Sequence, residues 1–273
     1  MSKVLFITGT SKGFGRIWAE AALAQGYQVV ATARDVNSLT ELTSRYGAVV
    51  LPLALDVTNR DACVAAVHQA QAHFGRIDVL ISNAGYGHFG YVEELTEDEA
   101  RQQLETNVFG SLWCIQAVLP IMRAQRQGHI IQVSSIGGII TFPGLGIYHA
   151  SKWAMEGICD SLSQEVKPFN IHVTLVEPGG YATDWSTTSA AHSQPNPAYT
   201  PQREAMQKQR ANGAAYMGKP EATAEAILQL LAAETPPLRL LLGAMPLRMI
   251  EPAYQQRLTT WQEWQPVAEK AQG

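Results

Sequence analysis

The sequence predicts an α/β fold, a doubly wound parallel sheet of about seven strands with helices on both faces. Short apolar, β-branched runs alternate with longer amphipathic runs along most of the chain. The short runs are apolar at consecutive positions rather than at every second one, the pattern of strands covered on both faces. The first of them leads directly into a glycine-rich turn and a helical stretch, as a βα unit requires.

Each element follows in turn. KVLFITG reads as the first strand, with a helix over 14–25; YQVVATA leads to a helix over 36–46, AVVLPLAL to one over 59–74, and IDVLISN to a long one over 97–127. HIIQVSS and IHVTLVEPG flank a helix over 148–166, and PPLRLLLG, residues 236–243, supplies a last strand. Residues 184–220 break this rhythm: they are polar, rich in Pro and Ala, and without a period, which inside a compact domain marks a functional or mobile segment. Trp261 and Trp264, three apart, read as a packing stripe.

At 273 residues the chain fits one domain, 1–273, because open α/β sheets absorb that length around a single core. The net charge of −4 shows no clustering, which argues against a nucleic-acid partner. No run is long enough to span a bilayer, and MSKVLFITGT enters a strand and turn without the pattern of a cleavable leader. A cytoplasmic location and no membrane partner are expected. Cys63, Cys114 and Cys159 lie far apart in apolar helical contexts without partners at ligand spacing, so buried reduced thiols and no metal are expected.

The first strand ends in TGTSKGFG, with Gly9, Gly13 and Gly15 spaced GxxxGxG and Ser11, Lys12 and Phe14 between them. One glycine permits the tight turn, one lets the backbone approach a pyrophosphate, and one allows close packing of helix on sheet. The phosphates would sit on the free N–H groups of the helix opened at Gly13. The second strand ends VVATARD, placing Ala33 where an NAD site carries an acid and Arg34 just after it. A guanidinium there suits a 2′-phosphate, Lys12 adds a second positive charge, and Asp35 reads as the N-cap of the next helix. The expected cofactor is NADP(H).

GLGIYHASKWA sets Tyr148 and Lys152 four residues apart, side by side on one helix face. A phenol with a pKa of about 10 is a poor acid-base catalyst at neutral pH, and a neighbouring cation favours its ionised form. Ser135 ends the strand HIIQVSS at the sheet edge where ligands bind in this architecture. Ser134 is its neighbour, and strand alternation lets only one of the two face the site.

Taken in order, TGTSKGFG, LDV with Asp56, SNAG at 82–85, Asn107, VSS, YHASK and PGGYAT resemble the short-chain dehydrogenase/reductase family of single-domain Rossmann type, over residues 3–184. That family usually has Asn where this chain has Ser82. The resemblance implies a catalytic set of Asn107, Ser135, Tyr148 and Lys152. Tyr148 would protonate a carbonyl oxygen or take the alcohol proton, and Ser135, favoured over Ser134 by family spacing, would hydrogen-bond the same oxygen. Lys152 would also hold the nicotinamide ribose, and Asn107 would support a proton relay through water. Asp56 and Val57 are implied near the adenine, with capping of the helix from Asn59 as the rival use of Asp56. Asn83, Ala84 and Gly85 are implied under the adenosine ribose, and Pro178, Gly179 and Thr183 near the carboxamide and phosphates.

GGIITFPGLG, GYGHFG and the stretch that begins at Tyr181 and Trp185 are expected to line the approach to Tyr148. They hold no Arg or Lys, so the expected small-molecule substrate is a hydrophobic ketone or aldehyde, or the matching alcohol, with 184–220 folding over it as a lid. His149 points about 100° away from Tyr148 around the helix and is not expected to take part. Relatives pair through their long helices, which implies a homodimer or homotetramer. The alternative function is a dinucleotide-sensing regulatory protein on the same fold. Such a protein would be expected to have lost part of Ser135, Tyr148 and Lys152, and all three are present.

Overall fold

A computed structural model describes residues 2–183, 189–213 and 217–273. Its strands, in chain order, are β1 Val4–Ile7, β2 Gln28–Ala33, β3 Val50–Ala54, β4 Val79–Ser82, β5 His88–Phe89, β6 Gly128–Val133, β7 Ile171–Pro178, β8 Ala191–His192 and β9 Arg239–Leu242. Seven of them form one parallel sheet in the order β3-β2-β1-β4-β6-β7-β9, while β5 and β8 make a separate parallel pair. The order reverses between β1 and β4. That switch point opens a crevice at the carboxyl ends of the strands, where this architecture binds ligands.

The helices are α1 Gly13–Ala24, α2 Thr40–Tyr46, α3 Arg60–Phe74, α4 Glu97–Leu104, α5 Gly110–Gln125, α6 Gly146–Val166, α7 Thr200–Gly213, α8 Thr223–Ala232 and α9 Pro246–Lys270. Strand alternation divides the core between the two faces of the sheet. Val4 and Phe6 of β1 pack with Val67, Val118, Met122 and Met155 of α3, α5 and α6, whereas Leu5 and Ile7 pack with Trp18, Leu42 and Ile227 of α1, α2 and α8. The Trp18 indole donates to Thr223 Oγ1 at 2.8 Å, tying α1 to the start of α8. The three cysteines are buried and free, and Cys63 and Cys114 meet with sulfurs 3.7 Å apart.

Three elements differ from expectation. The helix expected over 36–46 begins as a 3-10 turn, Val36–Leu39, with Asp35 accepting from Asn37 N at 3.0 Å as its N-cap. The long helix expected over 97–127 is α4 and α5 joined by a π turn, Glu105–Phe109, and it stops at Arg126 in the left-handed conformation. Trp261 and Trp264 are not a packing stripe, being 64% and 63% exposed on the outer half of α9. Spacing of three places two side chains on one helix face but does not say whether protein covers that face.

Candidate active site

Three consecutive residues at the end of β6 are each tied to a side chain of α6. Val133 O accepts from Lys152 Nζ at 2.9 Å, the Ser134 hydroxyl donates to Glu156, and the Ser135 hydroxyl faces the Tyr148 phenol and favours its ionised form. Ser135 Oγ also accepts from Gly137 N at 3.0 Å, which turns the chain beneath the phenol. A Cβ on Gly137 would lie 3.2 Å from the Tyr148 ring and 2.7 Å from His149 Nδ1, so this turn has no room for a side chain. The Lys152 ammonium stands 5.7 Å from the Tyr148 ring centroid. Both side chains are buried, at 5% and 7% exposure. Burial pushes the Tyr148 phenol up to about 12 against the Ser135 hydrogen bond, and pulls the Lys152 ammonium down to about 8 against the pull of Glu156.

Asn107 sits in the π turn, an irregularity frequent at functional sites. Its side chain donates to Tyr86 O and to Ser151 Oγ, each at 3.0 Å, and accepts from Tyr86 N at 3.1 Å. It is thus brought to the residue before Lys152. His149 is spent on the backbone: Phe142 N donates to its Nε2 at 2.9 Å, which leaves the Nδ1 proton for Gly137 O at 2.9 Å.

A cavity of about 770 Å³ opens at the switch point. Gly9, Ser11, Lys12, Gly13 and Phe14 line it from the glycine turn, Ala33 from the end of β2 and Arg34 from just after it, Asp56 and Val57 from after β3, and Asn83, Ala84 and Gly85 from after β4. Gly9 and Gly13 hold positive φ, and a Cβ on Gly15 would stand 2.2 Å from the Gly9 carbonyl oxygen. Lys12 precedes α1 without capping it through its side chain, so the first-turn N–H groups remain for an anion. These residues fit a dinucleotide. Asp56 does not cap α3, because Asn59 does so, accepting from Ala62 N at 3.0 Å, while Asp56 accepts from Thr58 N and Oγ1. Asn83 is committed to the turn, donating to Thr8 O at 2.8 Å and Gly9 O at 3.0 Å. Thr183 lines the cavity, whereas Pro178 and Gly179 stand beyond its lining, with Gly179 N bonded to Leu242 O at 3.0 Å.

The segment after residue 188 packs across the same region. Ser189, Ala190 and Ala191 line the cavity, and β8 is held to β5 by Ser193, whose hydroxyl lies 2.8 Å from His88 Nε2 and donates to Glu99 Oε2 at 3.0 Å. Arg203 of α7 pairs with Glu94 and lies over the Tyr91 ring, 5.0 Å from its centroid. Two parts of the expected substrate approach are core instead. Ile136, Ile139 and Ile140 pack with Leu241, Ile250 and Ala253 of β9 and α9, and Tyr181 packs edge-on against Phe14 at 5.3 Å. The apolar run after β6 seats the C-terminal helix, an element that the strand-and-helix rhythm does not reveal. Asp184 and Trp185 lie outside the described residues.

Sequence reasoning missed Thr8, whose Oγ1 accepts from Asn83 N and Ala84 N at 2.9 Å, and it missed Glu156. The signal for Glu156 was its place eight residues after Tyr148, on the same helix face. Among the described residues no group of three or more His, Cys, Asp or Glu is placed to hold a metal ion, and no helix is long and apolar enough to cross a membrane.

Residues 3–194 match the short chain dehydrogenase family. An oxidoreductase of Botryotinia fuckeliana is 43% identical over 245 residues, spanning 89% of this chain and 89% of its own. A short-chain dehydrogenase from Streptomyces avermitilis shares the fold with a TM-score of 0.92 at 36% identity, covering 99% of this chain and 98% of that one. An alcohol dehydrogenase from the archaeon Thermococcus sibiricus, solved with 5-hydroxy-NADP, gives a TM-score of 0.76 at 26% identity over 90% of this chain and 98% of its own. With its seven-stranded parallel sheet and the crevice at its switch point, the chain belongs to the short-chain dehydrogenase family and is an oxidoreductase of that family.

Proposed function

We propose that the chain is an NADP(H)-dependent oxidoreductase that interconverts a hydrophobic ketone or aldehyde and its alcohol, with Tyr148 as the acid/base. The observation that carries this reading is the buried Tyr148 phenol with the Ser135 hydroxyl facing it and the Lys152 ammonium beside its ring. When bound, the cofactor supplies or accepts the hydride. Tyr148, protonated at neutral pH, donates its phenolic proton to the carbonyl oxygen, and Ser135 donates a hydrogen bond to the same atom. Lys152 favours the phenolate left behind, and Asn107 supports its resupply with a proton. Among residues that would hold the cofactor, Gly9, Gly13 and the start of α1 would take the phosphates, while Arg34 and Lys12 would take the 2′-phosphate. The absence of an acid at Ala33 and the 5-hydroxy-NADP of the Thermococcus sibiricus relative support NADP(H) over NAD(H).

The same reading takes residues 1–273 as one catalytic domain with the stretch over 184–220 as its lid. What supports the substrate class is the lack of Arg and Lys in GYGHFG, and Arg203, whose charge already faces Glu94 and so offers no anchor to an anionic substrate. Exposed Phe109 and Trp153, beside α5 and on α6, are the faces through which a homodimer or homotetramer would form. A screen of NADPH oxidation over carbonyl compounds graded in size and charge tests the proposal. Bulky neutral ketones should turn over fastest. Faster turnover of small anionic keto acids would overturn the substrate class, and tight NADPH binding without turnover of any carbonyl would favour a dinucleotide sensor.

A further inference from the structure

Glu156 lies four residues after Lys152 and eight after Tyr148, so the three stack on one face of α6. It is buried; its Oε1 accepts from the Ser134 hydroxyl at 2.5 Å, and its Oε2 stands 3.3 Å from Arg239 Nε. The same Nε is 3.5 Å from Oε1 of Glu177, a residue of β7 that is 1% exposed. Arg239 also reaches Asp160 Oδ2 at 2.9 Å. One guanidinium therefore faces three carboxyl groups, two of them buried. Glu177 Oε1 is buried without a hydrogen-bond partner, and the Arg239 guanidinium is the charge that faces it. Burial raises both carboxyls, and for Glu177 the charge of Glu156 adds to it.

We infer that Glu156 is a positioning residue for the reaction: it anchors Ser134, so that the adjacent Ser135 is held at Tyr148, and its carboxylate, one helical turn from Lys152, favours the ammonium there. This rests on the reading of Tyr148 and Lys152 given above. The titratable and charged groups around Glu156 are Tyr148, Lys152, Cys159 and Asp160 on α6, Glu177 on β7 and Arg239 on β9. Loss of the Glu156 charge removes the one carboxylate acting to keep the buried Lys152 charged.

The test follows Lys152 itself by the carbon shift of protein labelled with ε-¹³C lysine, assigned through Lys152→Met, beside the pH profile of kcat for a neutral ketone. Glu156→Gln, which can still accept from Ser134, should lower the Lys152 midpoint by about one pH unit. The alkaline limb of kcat should move in the same direction, and Glu156→Asp should restore the midpoint while leaving kcat below wild type. A midpoint unchanged in Glu156→Gln, or a shift of the opposite sign, would overturn the inference. If Glu156→Gln fails to fold, Ser134→Ala decides, because an unchanged kcat there would overturn the anchoring. Shifts of the expected sign in a protein that reduces no carbonyl would uphold the coupling and sink the reductase reading alone.

Discussion

Ser134 and Ser135 are consecutive and meet α6 at different residues: Ser135 faces the Tyr148 phenol, while Ser134 donates to Glu156, eight residues further along the helix. Ser135→Ala should therefore lower turnover by about 10²-fold through loss of a donor to the reacting oxygen. Ser134→Ala should cost about tenfold, since it loosens the chain and touches no reacting atom. Steady-state kinetics on both variants check this, and a larger loss for Ser134→Ala would reverse the assignment.

Arg34 is exposed at the rim of the dinucleotide cavity, where Ala33 leaves no acid. Arg34→Ala should weaken NADPH by about tenfold or more and leave NADH nearly unchanged, because only the 2′-phosphate loses a partner. Adding Ala33→Asp should move preference to NADH. A wild type that already prefers NADH would contradict the reading of this strand end.

The ion pair between Arg203 and Glu94 fastens α7 to the turn after β5, and the Glu94 side chain is fully buried. Arg203→Ala leaves that carboxylate without its cation, so the segment should open more often. The substrate KM should rise by about tenfold with little change in NADPH affinity, and cleavage by added protease within 189–213 should accelerate. Unchanged KM and protease resistance would show that the segment does not act as a lid.

Stability carries a separate signature of Glu177. Burial, then the charge of Glu156, pushes this carboxyl up to about 8 from 4.5. Between those values the folded chain keeps a proton that the unfolded chain releases, so stability should fall as pH rises through that window. Lys152, pulled down to about 8 from 10.5, acts only above it, and there stability rises with pH. Glu177→Gln should flatten the fall, giving a Tm a few degrees above wild type at pH 8 and close to it at pH 5. Parallel Tm curves would contradict the buried proton.

The sheet was legible because each strand is a local run, and Tyr148 with Lys152 because helical spacing is local too. What the sequence concealed depends on contacts between distant residues. Arg239 meets Glu156 from 83 positions away, and Ser193 meets His88 from 105. The break between α4 and α5 was hidden for another reason: a π turn adds one residue to a helix without changing its composition. The apolar run after β6 was legible as hydrophobic, but its use in seating α9 needed the position of that helix.

The phenolic oxygen of Tyr148 is the one atom whose removal separates binding from chemistry. NADPH binding followed by fluorescence, and NADPH oxidation with a bulky neutral ketone, are to be compared between wild type and Tyr148→Phe. The expected result is an NADPH Kd unchanged within about twofold and turnover lower by about 10²–10⁴-fold. Turnover near the wild-type value in the Phe variant would contradict acid/base catalysis by Tyr148.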